Sequence, residues 1–133
     1  MKVLVDTCVW SLALRRKIQK SDSVITQLRE LITESRVQLI GPIRQEILSG
    51  MVSTEQFELV RQYLSAFKDL VLNENDFELA AKLYNKCRKK GIEGSNTDFL
   101  ICSSAMNHQM SIFTTDHDFI NFSKIIPISV NQF

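Results

Sequence analysis

Short apolar runs alternate with helix-like stretches along the 133 residues of this chain, and that alternation leaves few folds open. Lys2 to Val5, Val37 to Ile40, Leu70 to Leu72, Ser111 to Thr114 and Ile125 to Val130 read as strands. The stretches between them carry helical spacing. Val9 to Arg15 suits a first helix, and Val24, Leu28, Leu31 and Ile32 put an apolar stripe on Ser23 to Glu34. Gly41 and Pro42 open the next helix, since proline is tolerated in a first turn. Phe57, Val60, Leu64 and Phe67 recur every three or four residues and predict an amphipathic helix over Ser53 to Phe67. Phe77, Ala80, Ala81, Tyr84 and Cys87 mark another, stopped by Gly91. Thr97 can cap a helix from Asp98 to about His108, and Asp118 to Phe122 suggests a last short one. Strands joined through helices need crossover connections, so the expected fold is α/β with a mainly parallel sheet. Pro127 confines the final strand to an edge. No internal repeat or Pro/Gly-rich linker interrupts the chain, which predicts one domain over residues 1–133.

A chain of this size can bury about two thirds of its unfolded surface and needs no disulfide or metal to fold. Its 16 Lys+Arg against 15 Asp+Glu leave a formal net charge of +1, so no global field draws in nucleic acid. Such a partner would depend on local patches: Arg15, Arg16, Lys17 and Lys20, or Lys86, Arg88, Lys89 and Lys90 at a helix end. Either patch also reads as a solvated face. Cys8, Cys87 and Cys102 lack zinc-type spacing and read as reduced thiols filling the core. The N-terminal apolar run stops at Asp6, too short for a secretory segment, and no run approaches the ~20 apolar residues of a membrane span. The expectation is a cytoplasmic protein.

Asp6, Glu46, Asp98 and Asp116 each stand where an apolar run meets the end of an element. Together they could converge on a divalent cation. Asp6 closes the first strand, at the sheet edge where open α/β folds bind ligands, and could equally cap the following helix. Glu46 lies near the apolar side of its helix, as an exposed carboxylate or as part of a site. Asp98 heads the stripe Ile101, Cys102 and Ala105, where an unpaired charge costs several kcal/mol, of order. A first-turn dipole contact would offset only ~0.3–1 kcal/mol of that. Asp116 closes the strand from Ser111, with the hydroxyls of Thr114 and Thr115 placed to orient its oxygens. Asp118 reads as a helix cap or an outer ligand, His117 as an exposed loop residue, and His108 as a partner of a helix C-terminus.

Four segments carry a family resemblance: Val3-Leu4-Val5-Asp6-Thr7-Cys8-Val9, Glu46 following Gly-Pro, Asp98 to Ala105, and Ile112 to Phe119. In identity, order and spacing they resemble the successive motifs of PIN domains, across nearly the whole chain. A bare domain of this length is most similar to the VapC toxins of toxin-antitoxin pairs. The resemblance implies a five-stranded sheet of order 3-2-1-4-5 with helices on both faces, and Asp6 and Asp116 side by side at the switch point. It further implies a Mg²⁺- or Mn²⁺-dependent endoribonuclease, with RNA as substrate, a small VapB-type antitoxin as partner and a homodimer as assembly. Asp6, Asp98 and Asp116 would be the principal metal acids, Glu46 would complete the site and orient a water, and Asp118 would be a weaker ligand. Thr114 would support the ligands without binding metal itself.

Other classes remain open at this point. An aspartyl-phosphate hydrolase needs a second acid where this chain has Cys8, and a receiver domain needs adjacent acids where Val5 precedes Asp6. A non-catalytic metal- or RNA-binding module, or a nuclease of RNA processing with no antitoxin, fits the same residues.

Overall fold

The computed structural model describes residues 1–14 and 22–133. The N-terminal basic patch, Arg15, Arg16, Lys17 and Lys20, and the predicted helix end at Arg15 lie outside the described residues. In chain order the elements are β1 (Val3–Val5), α1 (Thr7–Ala13), α2 (Ser23–Thr33), β2 (Val37–Ile40), α3 (Gly41–Ser49), α4 (Thr54–Leu64), β3 (Asp69–Leu70), α5 (Glu74–Lys89), α6 (Asn96–Asn107), β4 (Ser111–Phe113) and α7 (Asp118–Ser123).

The four strands run parallel in the order β3-β2-β1-β4. Every residue of β1 and β4 is buried, β1 between β2 and β4, and β4 with Val130 bridged to its outer side. Chain progress from β1 goes outward through β2 to β3, then α5 and α6 carry it back across to β4. That reversal opens a switch point beyond the C-terminal ends of β1 and β4. The expected fifth strand shrinks to a single parallel bridge between Ile112 and Val130. Ile125 and Ile126 instead finish the turn that follows α7, and Pro127 has no N–H to give a ladder.

Two element starts differ from expectation. Helix α6 begins at Asn96 with Ser95, not Thr97, as its cap, because Ser95 and Asp98 form a reciprocal capping box. Strand β3 lies at Asp69–Leu70 and not at Leu70–Leu72, in register with Leu39 and Ile40. Arg44 of α3 secures that short edge by pairing with Asp69 at 2.8 Å and donating to the carbonyls of Leu64 and Phe67.

The core gathers Leu4, Trp10, Leu39, Ile43, Leu64, Phe99, Ile101, Ile112 and Phe122, all at most 1% exposed. Trp10 is the largest, its ring edge-on to Phe67 at 5.3 Å. Gly94, in the loop from α5 to α6, has no room for a side chain. A Cβ there would sit 2.6 Å from Phe122 Cζ and 3.0 Å from Phe99 Cε2. Among the described residues no helix is long and apolar enough to cross a membrane.

Candidate active site

Asp6 stands one residue past β1, and its backbone N–H donates to the Phe113 carbonyl of β4 at 2.9 Å. The chain then turns at once into α1, so Asp6 is also the N-cap of that helix, with Oδ1 accepting from Thr7 N at 2.8 Å. Its Oδ2 accepts from the Thr114 hydroxyl at 2.8 Å and from the Cys8 thiol at 3.4 Å. The residue is only 7% exposed. Burial raises the Asp6 carboxyl above its ordinary range, and the charge of Asp98 adds to that; the bonds from Thr114, Thr7 and Cys8 oppose it.

Glu46 approaches from α3, accepting from the Thr7 hydroxyl at 3.3 Å. Partial desolvation raises its carboxyl too, with Thr7 opposing and the charges of Asp6 and Asp98 reinforcing. Asp98 joins them from the first turn of α6, half-buried, with Oδ2 accepting from Ser95 N at 3.0 Å. Asp6, Glu46 and Asp98 therefore share one electrostatic neighbourhood. None of the three, nor Asp116, is ion-paired among the described residues.

Asp116 and Asp118 follow β4, on the other side of the Thr114 hydroxyl from Asp6. The Asp116 Oδ1 accepts from Asp118 N at 2.9 Å, which ties it to the start of α7, and Asp118 is exposed. Thr114, not Asp116, is the immediate neighbour of Asp6, because Phe113 pairs with Val5 and the next residue on each strand follows suit. The Thr114 hydroxyl turns to Asp6 and accepts from Asp116 N at 3.0 Å, where the sequence suggested that it would orient the Asp116 oxygens. His117, at the N-cap position of α7, makes no side-chain cap, and neither does Asp118. His108 is the C-cap of α6, as expected, and its Nε2 lies 3.3 Å from Asp76 Oδ1.

Cys8 departs from the core-filler expectation. Half-buried, its Sγ touches Asp6 Oδ2 and Thr114 Oγ1 and accepts from Thr115 N at 3.3 Å. The other two thiols are buried in the core, and all three are unpaired. Thr7, Cys8 and Asn131 are site neighbours that residue patterns did not single out. Their only sequence signal is closeness to Asp6, and Asn131 lacks even that.

Among the described residues no three His, Cys, Asp or Glu side chains form a ready-made metal cage. The donor set nonetheless suits a hard cation: the ligands are carboxylate oxygens, two of the carboxyls are pushed up, and no basic side chain among the described residues neutralises them. An open arrangement of this kind suits a divalent cation that keeps part of its water shell.

Compared with known families, residues 3–125 match the PIN domain. The chain belongs to the PIN domain family. No curated protein matches it in sequence. Among solved structures, this PIN domain is similar to VapBC2 from Rickettsia felis bound to a DNA fragment from their promoter, with 18% identity, TM-score 0.80, and 100% of this chain and 99% of that one covered. It is also similar to FitAcB from Neisseria gonorrhoeae, at 21% identity and TM-score 0.78 over 98% and 96% of the two chains. VapBC-5 from Mycobacterium tuberculosis, a member of the VapBC family of toxin-antitoxin systems, aligns at 16% identity and TM-score 0.71 over 100% of both chains. At such identities the likeness concerns the fold. PIN domains are in general nucleases that use divalent metal, which agrees with an acidic crevice at the switch point.

Proposed function

We propose that this PIN domain is a Mg²⁺- or Mn²⁺-dependent endoribonuclease, acting as one unit over residues 1–133. The observation that carries the reading is the grouping of Asp6, Glu46 and Asp98 beyond the ends of β1 and β4, mutually repelling and without a basic partner among the described residues. Such a group gains most from a hard cation. Asp6, Asp98 and Asp116 would hold the ion, directly or through waters, and Asp118 would border the site. Bound there, the ion would supply Lewis-acid polarisation of the scissile phosphate and of the attacking water.

The chain's own residues do the rest. Thr114 and Thr7 fix the Asp6 carboxylate by one bond to each oxygen, which leaves its remaining lone pairs aimed by the fold. Glu46, more exposed and with a raised carboxyl, is suited to orient the attacking water and accept its proton. Asp116, held by the Asp118 N–H and by its own N–H on Thr114, would add its carboxylate from the β4 side.

The likeness to VapBC and FitAcB structures supports a toxin of a type II toxin-antitoxin pair, with a VapB-type antitoxin that would cover the acidic crevice; a homodimer is our proposed assembly. Charge complementarity fits an antitoxin that inserts a basic residue among the carboxylates.

The test is an RNA cleavage assay on wild type and Asp6→Asn with Mg²⁺, Mn²⁺ or EDTA. Cleavage that needs metal and is lost in Asp6→Asn is the expected result. Cleavage persisting in EDTA would sink the metal mechanism, and a folded Asp6→Asn of undiminished rate would remove Asp6 from the site.

A further inference from the structure

Thr114 links the acids, since its hydroxyl donates to Asp6 Oδ2 and accepts from Asp116 N. It is 3% exposed and lies one residue beyond the end of β4. Its backbone therefore needs partners that β4 pairing does not supply. On the edge of the sheet, Ile112 N donates to Ser129 O at 2.8 Å and Asn131 N donates to Ile112 O at 2.7 Å, the pattern of a parallel ladder. One more rung would need the residue 131 carbonyl and the residue 133 N–H opposite Thr114. The ladder stops because Asn131 adopts φ +56°, a left-handed conformation that asparagine tolerates better than most residues.

The side chain of Asn131 then takes over that rung. Its Oδ1 accepts from Thr114 N at 3.0 Å and its Nδ2 donates to Thr114 O at 3.0 Å. Few side chains could do so: the task needs a donor and an acceptor on one short planar group. Aspartate supplies only the acceptor, and glycine keeps the backbone turn but supplies neither.

We propose that Asn131 is a positioning residue for the acid site, its amide standing in for the missing rung of the fifth strand and setting the Thr114 hydroxyl against Asp6 and Asp116. The proposal rests on the metal-nuclease reading above for its consequence, though not for its geometry. It makes residues near the C-terminus part of how the crevice is built. Asn131 acts through Thr114, whose backbone it holds on both sides.

The experiment compares wild type, Asn131→Gly and Asn131→Asp as full chains, by Thr114 amide exchange, Mn²⁺ titration calorimetry, and kcat and KM for RNA cleavage. In Asn131→Gly the Thr114 amide should lose protection and Mn²⁺ affinity should fall about 10-fold or more, as when ligand-orienting partners are lost elsewhere. The same variant should lose about 10- to 100-fold in kcat with KM little changed, the pattern of misplaced reacting groups. Asn131→Asp, which keeps the acceptor for Thr114 N, should fall between. If Asn131→Gly does not fold, the aspartate variant carries the same test. An Asn131→Gly protein with an unprotected Thr114 amide but unchanged Mn²⁺ affinity and kcat overturns the proposal, as does one whose Thr114 amide stays protected. Wild type that binds Mn²⁺ but does not cut RNA defeats the nuclease reading alone, and the Mn²⁺ series then decides the role of Asn131. Wild type that does neither overturns both.

Discussion

Helices α5 and α6 begin with the same local device and put it to opposite use. In α5 the Asn73 side chain accepts from Asp76 N at 3.2 Å while Asp76 accepts from Asn73 N at 3.0 Å; in α6 Ser95 and Asp98 do the same, at 3.0 Å each way. Beyond its box, Asp76 is buried and meets donors: Asn107 Nδ2 at 2.9 Å and His108 Nε2 at 3.3 Å, from the far end of α6. Asp98 is half-buried and meets other acids. Burial pushes the Asp76 carboxyl up, but its bonds from Asn107, Asn73 and His108 outweigh that and hold it below the ordinary range. Asp98 instead pushes up Asp6 and Glu46. A capping box thus satisfies one carboxylate oxygen and leaves the other to the tertiary surroundings, which make Asp76 a fastener and Asp98 a candidate ligand.

The largest expected effect tests that division directly. Asp98→Asn keeps an acceptor for Ser95 N, so the unfolding midpoint should hold or rise, while RNA cleavage in Mg²⁺ should fall about 100-fold or more if the charge serves the metal. A variant as active as wild type would reduce Asp98 to a cap like its counterpart. Asp76→Ala should do the reverse. It strands Asn107 and opens the box, costing about 2–4 kcal/mol in denaturant unfolding, with activity per folded molecule preserved. Loss of activity in a fully folded Asp76→Ala would tie the two boxes together functionally.

Smaller effects sharpen the picture. Gly94→Ala, in the loop joining the two helices, forces a methyl against Phe122 and Phe99 and should cost about 1–3 kcal/mol without touching an acid. Acid titration separates the boxes by sign. Asp76 has a depressed folded pKa, so its contribution is complete above the ordinary carboxylate range and fades as pH falls through the folded value; the stability gap between wild type and Asp76→Ala should close below about pH 4. Asp6 and Glu46 have raised pKa values, so without metal their ionisation costs stability as pH rises through them. Thermal unfolding of metal-free protein should therefore show Asp6→Asn gaining on wild type toward neutral pH. A flat difference between pH 4 and 7 would mean that the crevice leaves Asp6 ionised without penalty.

Much of the fold was legible because it rests on patterns that one segment carries by itself. The alternation of apolar runs with 3.6-residue stripes places β2 at Val37–Ile40 and a helix from Gly41, as found. The sequence Ser95-Asn96-Thr97-Asp98 holds a capping-box signature that outcompetes Thr97, and it could have been recognised. The fifth strand was overestimated, since Pro127 and the αL turn at Asn131 leave only Val130 to pair. At the acids, sequence treated Asp6 and Asp116 as equivalents, each an acid after a strand. They differ because Asp6 is the first residue past β1, whereas Thr114 holds the matching place past β4 and Asp116 falls two residues further, onto the start of α7.

What the sequence determined by itself is therefore the set of elements, their parallel arrangement through crossovers, and membership of the PIN domain family, all consequences of local periodicity and motif order. Only the tertiary structure decided which carboxylates share a field, that Cys8 and Thr114 face Asp6, and that the side chain of Asn131 completes the rung at Thr114. The physical reason is that periodicity assigns a residue to a face of its own helix or strand. The partner across that face, and hence whether a carboxylate meets a donor or another carboxylate, is set by strand register and by where the crossovers bring the chain back.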